Sequence, residues 1–336
     1  MSHEPTAVGD GDGALPRRQT PWWRSRWTRR ALTVLVVGAV AALFARELVR
    51  NADEVRRQDL QADWRWAAAV LLFAAAVPVT GLLWRAMLRS IQPDARVSVR
   101  EAVALQCASW LLKYIPGQVG STLNKILWAG RKGVSRAVVV ITVLYENVFL
   151  QVASLAPGAA IVAATLGPQV FGDEPVVLLL PVLALAPLLL LLWRPAFHRI
   201  VAVPARRALK RDVPREFFLR TRTTVALLAG FLVPRLLNAA GFVLLAVSVS
   251  DVAPADWPLF GAAYVLAGAI GILAILVPSG LGVREAVIVV LIAPTVGVAA
   301  AIVISVLARL CATVGDAVVA LVYVLTRRTV PKEHRP

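Results

Sequence analysis

The feature that most constrains this chain is a series of apolar runs, each about as long as a membrane-spanning helix. A helix that crosses the hydrocarbon core of a bilayer needs roughly 20 apolar residues. Six runs approach or exceed this length, and they occupy residues 31–49, 66–83, 137–166, 176–193, 225–249 and 297–325. Because 58% of the 336 residues are hydrophobic, a soluble core of this size could not absorb these runs. The sequence therefore predicts an all-α, polytopic membrane protein with about six transmembrane helices.

Two further apolar segments, 102–129 and 259–293, are each broken in the middle by Pro and Gly. The breaks read IPGQVG at 115–120 and VPSGLG at 277–282. Each arm of the first segment has about 13 residues, near 20 Å of helix, which is too short to cross the membrane. We therefore expect two re-entrant helical hairpins, hairpin 1 at 102–129 and hairpin 2 at 259–293.

The positions of the basic residues predict the topology. The formal net charge is +16, but the arginines lie between apolar segments and not on one soluble face, which argues against nucleic acid as a partner. Basic clusters of this kind mark cytoplasmic connections. They fall at 17–30, 85–100, 131–136, 194–222 and 327–332. Both termini are then cytoplasmic, hairpin 1 enters from the cytoplasmic face, and hairpin 2 enters from the opposite face.

The chain divides into a membrane domain and two tails. Residues 1–30 are predicted to form a disordered, basic cytoplasmic tail, 31–326 the transmembrane domain, and 327–336 a cytoplasmic C-terminal tail. A cleaved signal peptide is the alternative for the first apolar run, since a basic region precedes it, but no clear A-x-A site follows. The plasma membrane is the expected location.

The two hairpin tips also predict an internal repeat. They lie 162 positions apart and share an apolar residue, Pro, a small residue or Gly, and a final Gly. Each tip is followed by a short arm and then by a long apolar run, and the two sets have opposite orientations in the membrane. This is the pattern of an inverted repeat, which secondary transporters with broken helices use around a central substrate site.

The residues around each tip have the chemistry of an anion site. Non-helical backbone at membrane depth must line protein or a watery cavity. The second arm of each hairpin begins at the tip, so its helix N-terminus directs N–H groups and a positive dipole end toward the membrane midplane. The residues expected to bind a headgroup are Lys113, Tyr114, Pro116, Gly117, Ser121, Asn124, Lys125, Pro278, Ser279, Gly280, Gly282 and Arg284.

Other ionisable residues within the apolar runs are candidates for charge pairing or coupling, because an isolated charge there is costly. They are Glu146, Glu285, Arg309 and Asp316. Glu146 and Arg309 follow their tip prolines by 30 and 31 residues, so we expect these two to form an ion pair. Glu146 or Asp316 is the candidate proton carrier. Arg235, beside Pro234, has two open interpretations: it lines the same interior, or it snorkels toward the membrane surface.

The sequence argues against enzymatic chemistry. It contains no Ser/His/Asp set and no nucleotide-binding glycine loop, and its three histidines fall in predicted tails and loops. Cys107 and Cys311 have no His or acidic residue at metal-ligand spacing, so we predict no metal site and no cofactor.

Two stretches resemble the lysylphosphatidylglycerol synthase transmembrane family, also called the flippase-like domain family. SWLLKYIPGQVGSTLNKILWAGRKGVSRAVVVITVLYENV at 109–148 has its K-Y-x-P-G tip, basic G-V-S turn and Glu-bearing helix. LVPSGLGVREAVIVVLI at 276–292 is similar to its second tip, and Arg309 matches a later arginine. The likeness extends over about 30–328. Up to Pro336 there is no room for the aminoacyl-tRNA-dependent transferase found in some members, so we do not expect lysyl transfer.

The resemblance implies a lipid flippase or facilitator that moves an anionic phospholipid or lipid-linked headgroup between leaflets. One alternative is a non-transporting scaffold or accessory subunit for a cell-envelope glycosyltransferase or lipid-modifying enzyme, which would dock on the basic segment 194–222. A second alternative is a membrane-embedded transferase that uses Glu146 or Asp316 as a base. The expected partners are therefore a lipid anion, the membrane and, under the scaffold alternative, an envelope enzyme.

Overall fold

The computed structural model describes residues 63–112, 119–167, 217–273 and 282–328, and the side chains of all of these except residues 119, 273 and 328. The described ranges are helical and contain no strand. The predicted tails, the predicted spans at 31–49 and 176–193, and the two tip segments at 113–118 and 274–281 lie outside the described residues.

Eight α-helices occupy the described ranges. They are α1 Trp64–Ile91, α2 Val99–Leu111, α3 Val119–Lys132, α4 Arg136–Leu166, α5 Thr221–Val249, α6 Trp257–Leu273, α7 Val283–Val296 and α8 Val298–Arg328. A short 3-10 helix, Pro254–Asp256, leads into α6. Hairpin 1 corresponds to α2 and α3, and hairpin 2 to α6 and α7.

Five helical segments of the described chain are long and apolar enough to cross a membrane. They are Trp64–Ile91, Arg136–Leu166, Thr221–Val249, Pro254–Ile272 and Val298–Arg327. The prediction of an all-α, polytopic membrane protein is therefore confirmed. The segment Pro254–Ile272 comprises the 3-10 helix and most of α6, so by length and composition this arm of hairpin 2 is long enough to cross. The re-entrant geometry of both hairpins stays a prediction.

Local chemistry explains where several helices begin. The Asp63 side chain accepts a hydrogen bond from the Arg65 N–H at the start of α1, and Ser98 accepts from the Glu101 N–H at the start of α2. Both are standard N-caps. α7 begins after Gly282, whose φ of 83° favours glycine, and the Gly282 N–H donates to Glu285 Oε2 at 2.6 Å. The side chain of Glu285 therefore turns back to cap its own helix.

The packing of the helices follows a reciprocal pattern. α1 packs against α5, the arms of each hairpin pack against each other, and each second arm packs against the long helix that follows it. In addition, α2 packs against α8, and α6 packs against α4. Each first arm therefore contacts the long final helix of the other half, so the two halves, α1–α4 and α5–α8, are interlocked.

Aromatic side chains fill the centres of both halves. In the first, the buried rings of Trp84 and Trp128 meet edge to face at 5.6 Å between centroids. In the second, the ring of Tyr264 stacks between Phe73 at 5.1 Å and Phe242 at 4.9 Å. These rings come from α1, α3, α5 and α6, so the aromatic contacts join hairpin arms to the long helices.

Glycine allows α1 and α2 to approach closely. A Cβ atom at Gly81 would lie 2.8 Å from Gln106 Cβ and 3.1 Å from the Ala102 carbonyl oxygen. Small residues at such crossings are how membrane helices gain packing contact when there is no difference in apolarity to drive association.

Gly81→Val is expected to destabilise the protein by about 1–3 kcal/mol, because the added atoms push α1 away from the hairpin 1 arm. Gly268→Val is the matched control, since a Cβ at Gly268 has no neighbour within 4 Å. Thermal unfolding in detergent, followed by intrinsic fluorescence, measures the difference. An equal loss in the two variants would contradict the steric explanation.

Candidate functional site

Hairpin 1 holds a buried ion pair. Lys125 on α3 is only 3% exposed, and its Nζ lies 2.6 Å from Glu146 Oε2 on α4. Glu146, at 6% exposed, also accepts a hydrogen bond from Gln106 Nε2 at 2.8 Å. The Lys125 ammonium lies 4.9 Å from the ring centroid of Trp84. The positive charge of Lys125 is therefore compensated inside the protein.

The predicted ion pair between Glu146 and Arg309 is wrong. Glu146 pairs with Lys125, and Arg309 pairs with Glu285. The reason is that each second hairpin arm packs against the helix that follows it, α3 on α4 and α7 on α8, so pairing stays within each half. The two halves place the charges in opposite order. In the first half the hairpin arm α3 carries Lys125 and the following helix α4 carries Glu146. In the second half the arm α7 carries Glu285 and the following helix α8 carries Arg309.

Further polar contacts join the two arms of hairpin 1, α2 and α3. Glu101, 3% exposed, accepts from Trp128 Nε1 at 3.0 Å and pairs with Lys132 Nζ at 3.1 Å. Asn124 Nδ2 donates to Ser109 Oγ at 3.1 Å and so joins the two arms. Of the predicted headgroup residues in this hairpin, Asn124 has its partner within the hairpin and Lys125 has its partner on α4. Ser121 is half-buried and also has a partner.

The N-terminus of α7 already carries an internal carboxylate. Besides accepting from the Gly282 N–H, Glu285 forms an ion pair with Arg309 Nη1. The Glu285 side chain is buried, whereas that of Arg309 is 38% exposed. A carboxylate at a helix N-terminus neutralises the dipole there. This end of α7 is therefore partly occupied by the protein's own anion.

Arg284 precedes Glu285 in this first turn and has a different environment. Its guanidinium carbon is 4.3 Å from the ring centroid of Tyr264, a cation–π distance. Tyr264 is 5% exposed and is held by the stack with Phe73 and Phe242. In the described part of the chain, no carboxylate lies within salt-bridge distance of Arg284.

Arg235 joins this group from α5. It is the middle residue of that helix, with 14 residues on either side. The contact of Gly261 with Ala239 sets the register of the antiparallel helices α5 and α6, and brings Arg235 toward Tyr264. Because the Arg284 guanidinium rests on the Tyr264 ring, the same register directs Arg235 toward Arg284. Its Nε is buried and has no hydrogen-bond partner among the described residues, which argues against snorkelling.

The sequence reasoning did not include Arg235 in the headgroup site. The available signal was its position: a guanidinium at the centre of an apolar run beside Pro234 is costly unless it has a use. What the sequence lacked was the register between α5 and α6, on which the proximity to Arg284 depends.

Asp316 contacts hairpin 1. On α8, its Oδ1 accepts a hydrogen bond from Trp110 Nε1 at 2.7 Å, near the end of α2. The remaining predicted headgroup residues lie outside the described residues: Lys113, Tyr114, Pro116, Gly117, Pro278, Ser279 and Gly280.

Comparison with known proteins gives one family. A sequence model described as the lysylphosphatidylglycerol synthase TM region matches residues 30–320. No curated relative matches the chain at a significant level. The matched range contains all eight described helices except the end of α8, and it includes both hairpins.

Proposed function

The chain belongs to the lysylphosphatidylglycerol synthase transmembrane family, and from this premise we propose that it moves a lipid with an anionic headgroup between the two leaflets of the plasma membrane. Family membership supports lipid handling in the membrane. In this proposed role the lipid moves between leaflets without covalent change, and the protein acts as a transporter and not as an enzyme. We propose that both termini are cytoplasmic, since the basic clusters near them favour that side of the membrane.

The observation that carries the proposal is the environment of Arg284. This residue lies in the first turn of α7, directly after the hairpin 2 tip, and it rests on the Tyr264 ring without a described carboxylate. A cation within a membrane domain is costly unless it is paired or functional. An anionic headgroup that enters between the hairpins would supply the missing partner.

The reciprocal packing supports an inverted repeat as the moving part. Each hairpin's first arm contacts the long helix of the other half, α2 on α8 and α6 on α4. In transporters built from such repeats, one half rocks against the other around a fixed site. We propose that the two halves do the same here and expose the headgroup in turn to each side, with Glu146 or Asp316 as the candidate coupling group.

The test is lipid movement by the purified protein in vesicles that contain a fluorescent anionic phospholipid. Dithionite bleaches the label in the outer leaflet, so the rate at which the inner label becomes accessible measures movement. Arg284→Gln is expected to slow this rate by about tenfold or more, because a hydrogen bond to a charged group contributes roughly 1.5–3 kcal/mol.

Arg89→Gln is the matched control, since it removes the same charge from an exposed position in the last turn of α1. It is expected to retain the parent rate. Parent protein that moves no lipid, but co-purifies with a stoichiometric envelope enzyme, would overturn the proposal in favour of the scaffold alternative. Recovery of chemically altered lipid would favour the transferase alternative.

A further inference from the structure

Two guanidinium groups from different helices are directed toward the Tyr264 ring in the second half of the protein. Arg284, at the start of α7, has its guanidinium carbon 4.3 Å from the ring centroid. Arg235 lies one helical turn before Ala239 on α5, whose contact Gly261 lies one turn before Tyr264 on α6. The buried Nε of Arg235 has no hydrogen-bond partner in the part of the chain that the structure describes. Two cations directed toward one ring repel each other, and an anion between them would lower this repulsion.

The local carboxylates do not fill this role. Glu285 is committed to Arg309 and to the Gly282 N–H. Asp316 Oδ1 accepts from Trp110 Nε1. The sequence of the two tip segments, 113–118 and 274–281, contains no acidic residue. Among the described residues, therefore, no carboxylate lies within salt-bridge distance of Arg235 or Arg284.

We infer that Arg235 and Arg284 form a phosphate-binding site, in which the two guanidiniums approach one phosphate group from two helices and the Tyr264 ring holds Arg284 in place. The inference rests on the proposed function for the source of the phosphate, and it adds the ligand group and a second binding residue, Arg235.

Guanidinium groups suit this role because each offers a planar fork of N–H donors, which matches two oxygens of a phosphate. A phosphodiester carries one negative charge, which would lower the repulsion between the two guanidiniums. The ammonium of a lysine is a point charge and lacks the fork. Arg235→Lys therefore separates the contribution of charge from that of geometry.

The experiment measures binding through the thermal stability of the full-length protein in detergent, since a ligand that binds only the folded state raises its Tm with concentration. The probes are short-chain phosphatidylglycerol, the matching diacylglycerol without phosphate, and inorganic phosphate. We expect phosphatidylglycerol to stabilise the parent and the diacylglycerol to have no effect. Arg235→Gln should weaken phosphatidylglycerol binding by about tenfold or more, and Arg235→Lys by less, while Arg89→Gln should leave it unchanged.

The comparison with inorganic phosphate identifies the source of the ligand. If inorganic phosphate binds much more weakly than phosphatidylglycerol, the bound phosphate belongs to a lipid. If the two bind equally well, the site takes free phosphate. In both cases, loss of binding in Arg235→Gln supports the site. Binding of phosphatidylglycerol that is unchanged in Arg235→Gln and in Arg235→Lys overturns the inference. Because Arg235→Lys keeps the charge, it remains informative if the Gln variant does not fold.

The two proposals fail in different ways. Parent protein that binds phosphatidylglycerol through Arg235 but moves no lipid would leave the site standing and remove the transport function. Lipid movement that continues at the parent rate in Arg235→Gln, without loss of binding, would leave transport standing and remove this site.

Discussion

Glu146→Gln is expected to destabilise the protein by about 3–5 kcal/mol, because it leaves the Lys125 ammonium buried without its carboxylate. The pair is almost completely enclosed, with side-chain exposures of 4% for Lys125 and 8% for Glu146. Breaking a buried pair from one side is costly because the remaining charge keeps its desolvation penalty. Lys125→Met should cost a similar amount, since it leaves Glu146 with Gln106 as its remaining partner.

The double variant Lys125→Met/Glu146→Gln should recover most of this loss. It removes both charges together, and neutral replacements for a buried pair are often equal in stability to the original. Thermal or chemical unfolding of the four proteins in one detergent forms a double-mutant cycle, which isolates the interaction between the two residues. Additive losses would mean that the pair does not hold hairpin 1 to α4.

Glu285→Ala is the second large effect, expected at about 2–4 kcal/mol. The substitution removes two interactions at once: the bond from the Gly282 N–H at the start of α7 and the ion pair with Arg309. Loss of an N-terminal cap costs about 1 kcal/mol. The ion pair is less enclosed than the fully buried pair of hairpin 1, since the Arg309 side chain is 38% exposed.

Two companion variants separate these contributions. Glu285→Gln keeps a side-chain oxygen that can accept from the Gly282 N–H, so we expect it to recover the part of the loss due to the cap. Arg309→Met keeps the cap and removes only the pair. Unfolding in detergent gives the stabilities, and limited proteolysis reports whether the start of α7 has opened. Equal losses for Glu285→Ala and Glu285→Gln would show that the cap contributes nothing.

Hairpin 1 and hairpin 2 differ in how their charges are used. In hairpin 1 the Lys125 charge is compensated by Glu146, and Glu101 and Lys132 pair near the base. In hairpin 2 Glu285 and Arg309 pair, but Arg284 and its neighbour Arg235 have no described carboxylate of their own. The sequence predicted positive charge at both tips. Among the described residues, the cations without a carboxylate partner at the hairpins lie in the second half.

Much of the fold was predictable because helix length and apolarity are local properties. The runs at 66–83, 137–166 and 225–249 fall within α1, α4 and α5, and the run at 297–325 begins one residue before α8 and ends within it. The breaks after the first arms also agree with the ends of α2 and α6. The predicted length of the first arm of hairpin 2 was less accurate. The 3-10 helix Pro254–Asp256 extends this arm at its N-terminus.

The candidate site was predictable only in part, for a different reason. The sequence marked Glu146, Glu285, Arg309 and Asp316 as ionisable residues that need partners, but it paired Glu146 with Arg309 from equivalent spacing alone. Spacing reports position along each repeat, whereas an ion pair requires two side chains to meet across a helix interface. The interfaces formed are α3 with α4 and α7 with α8.

By itself the sequence determined that this is a polytopic helical membrane protein with two Pro-Gly breaks and a set of charges inside its apolar segments. Those properties depend on the transfer of each segment from water to lipid, which is additive along the chain. Only the tertiary structure decided which charges neutralise each other and that Arg235 stands beside Arg284. Electrostatic pairing falls off within a few ångströms, so it depends on the register and rotation of packed helices, and no local pattern encodes these.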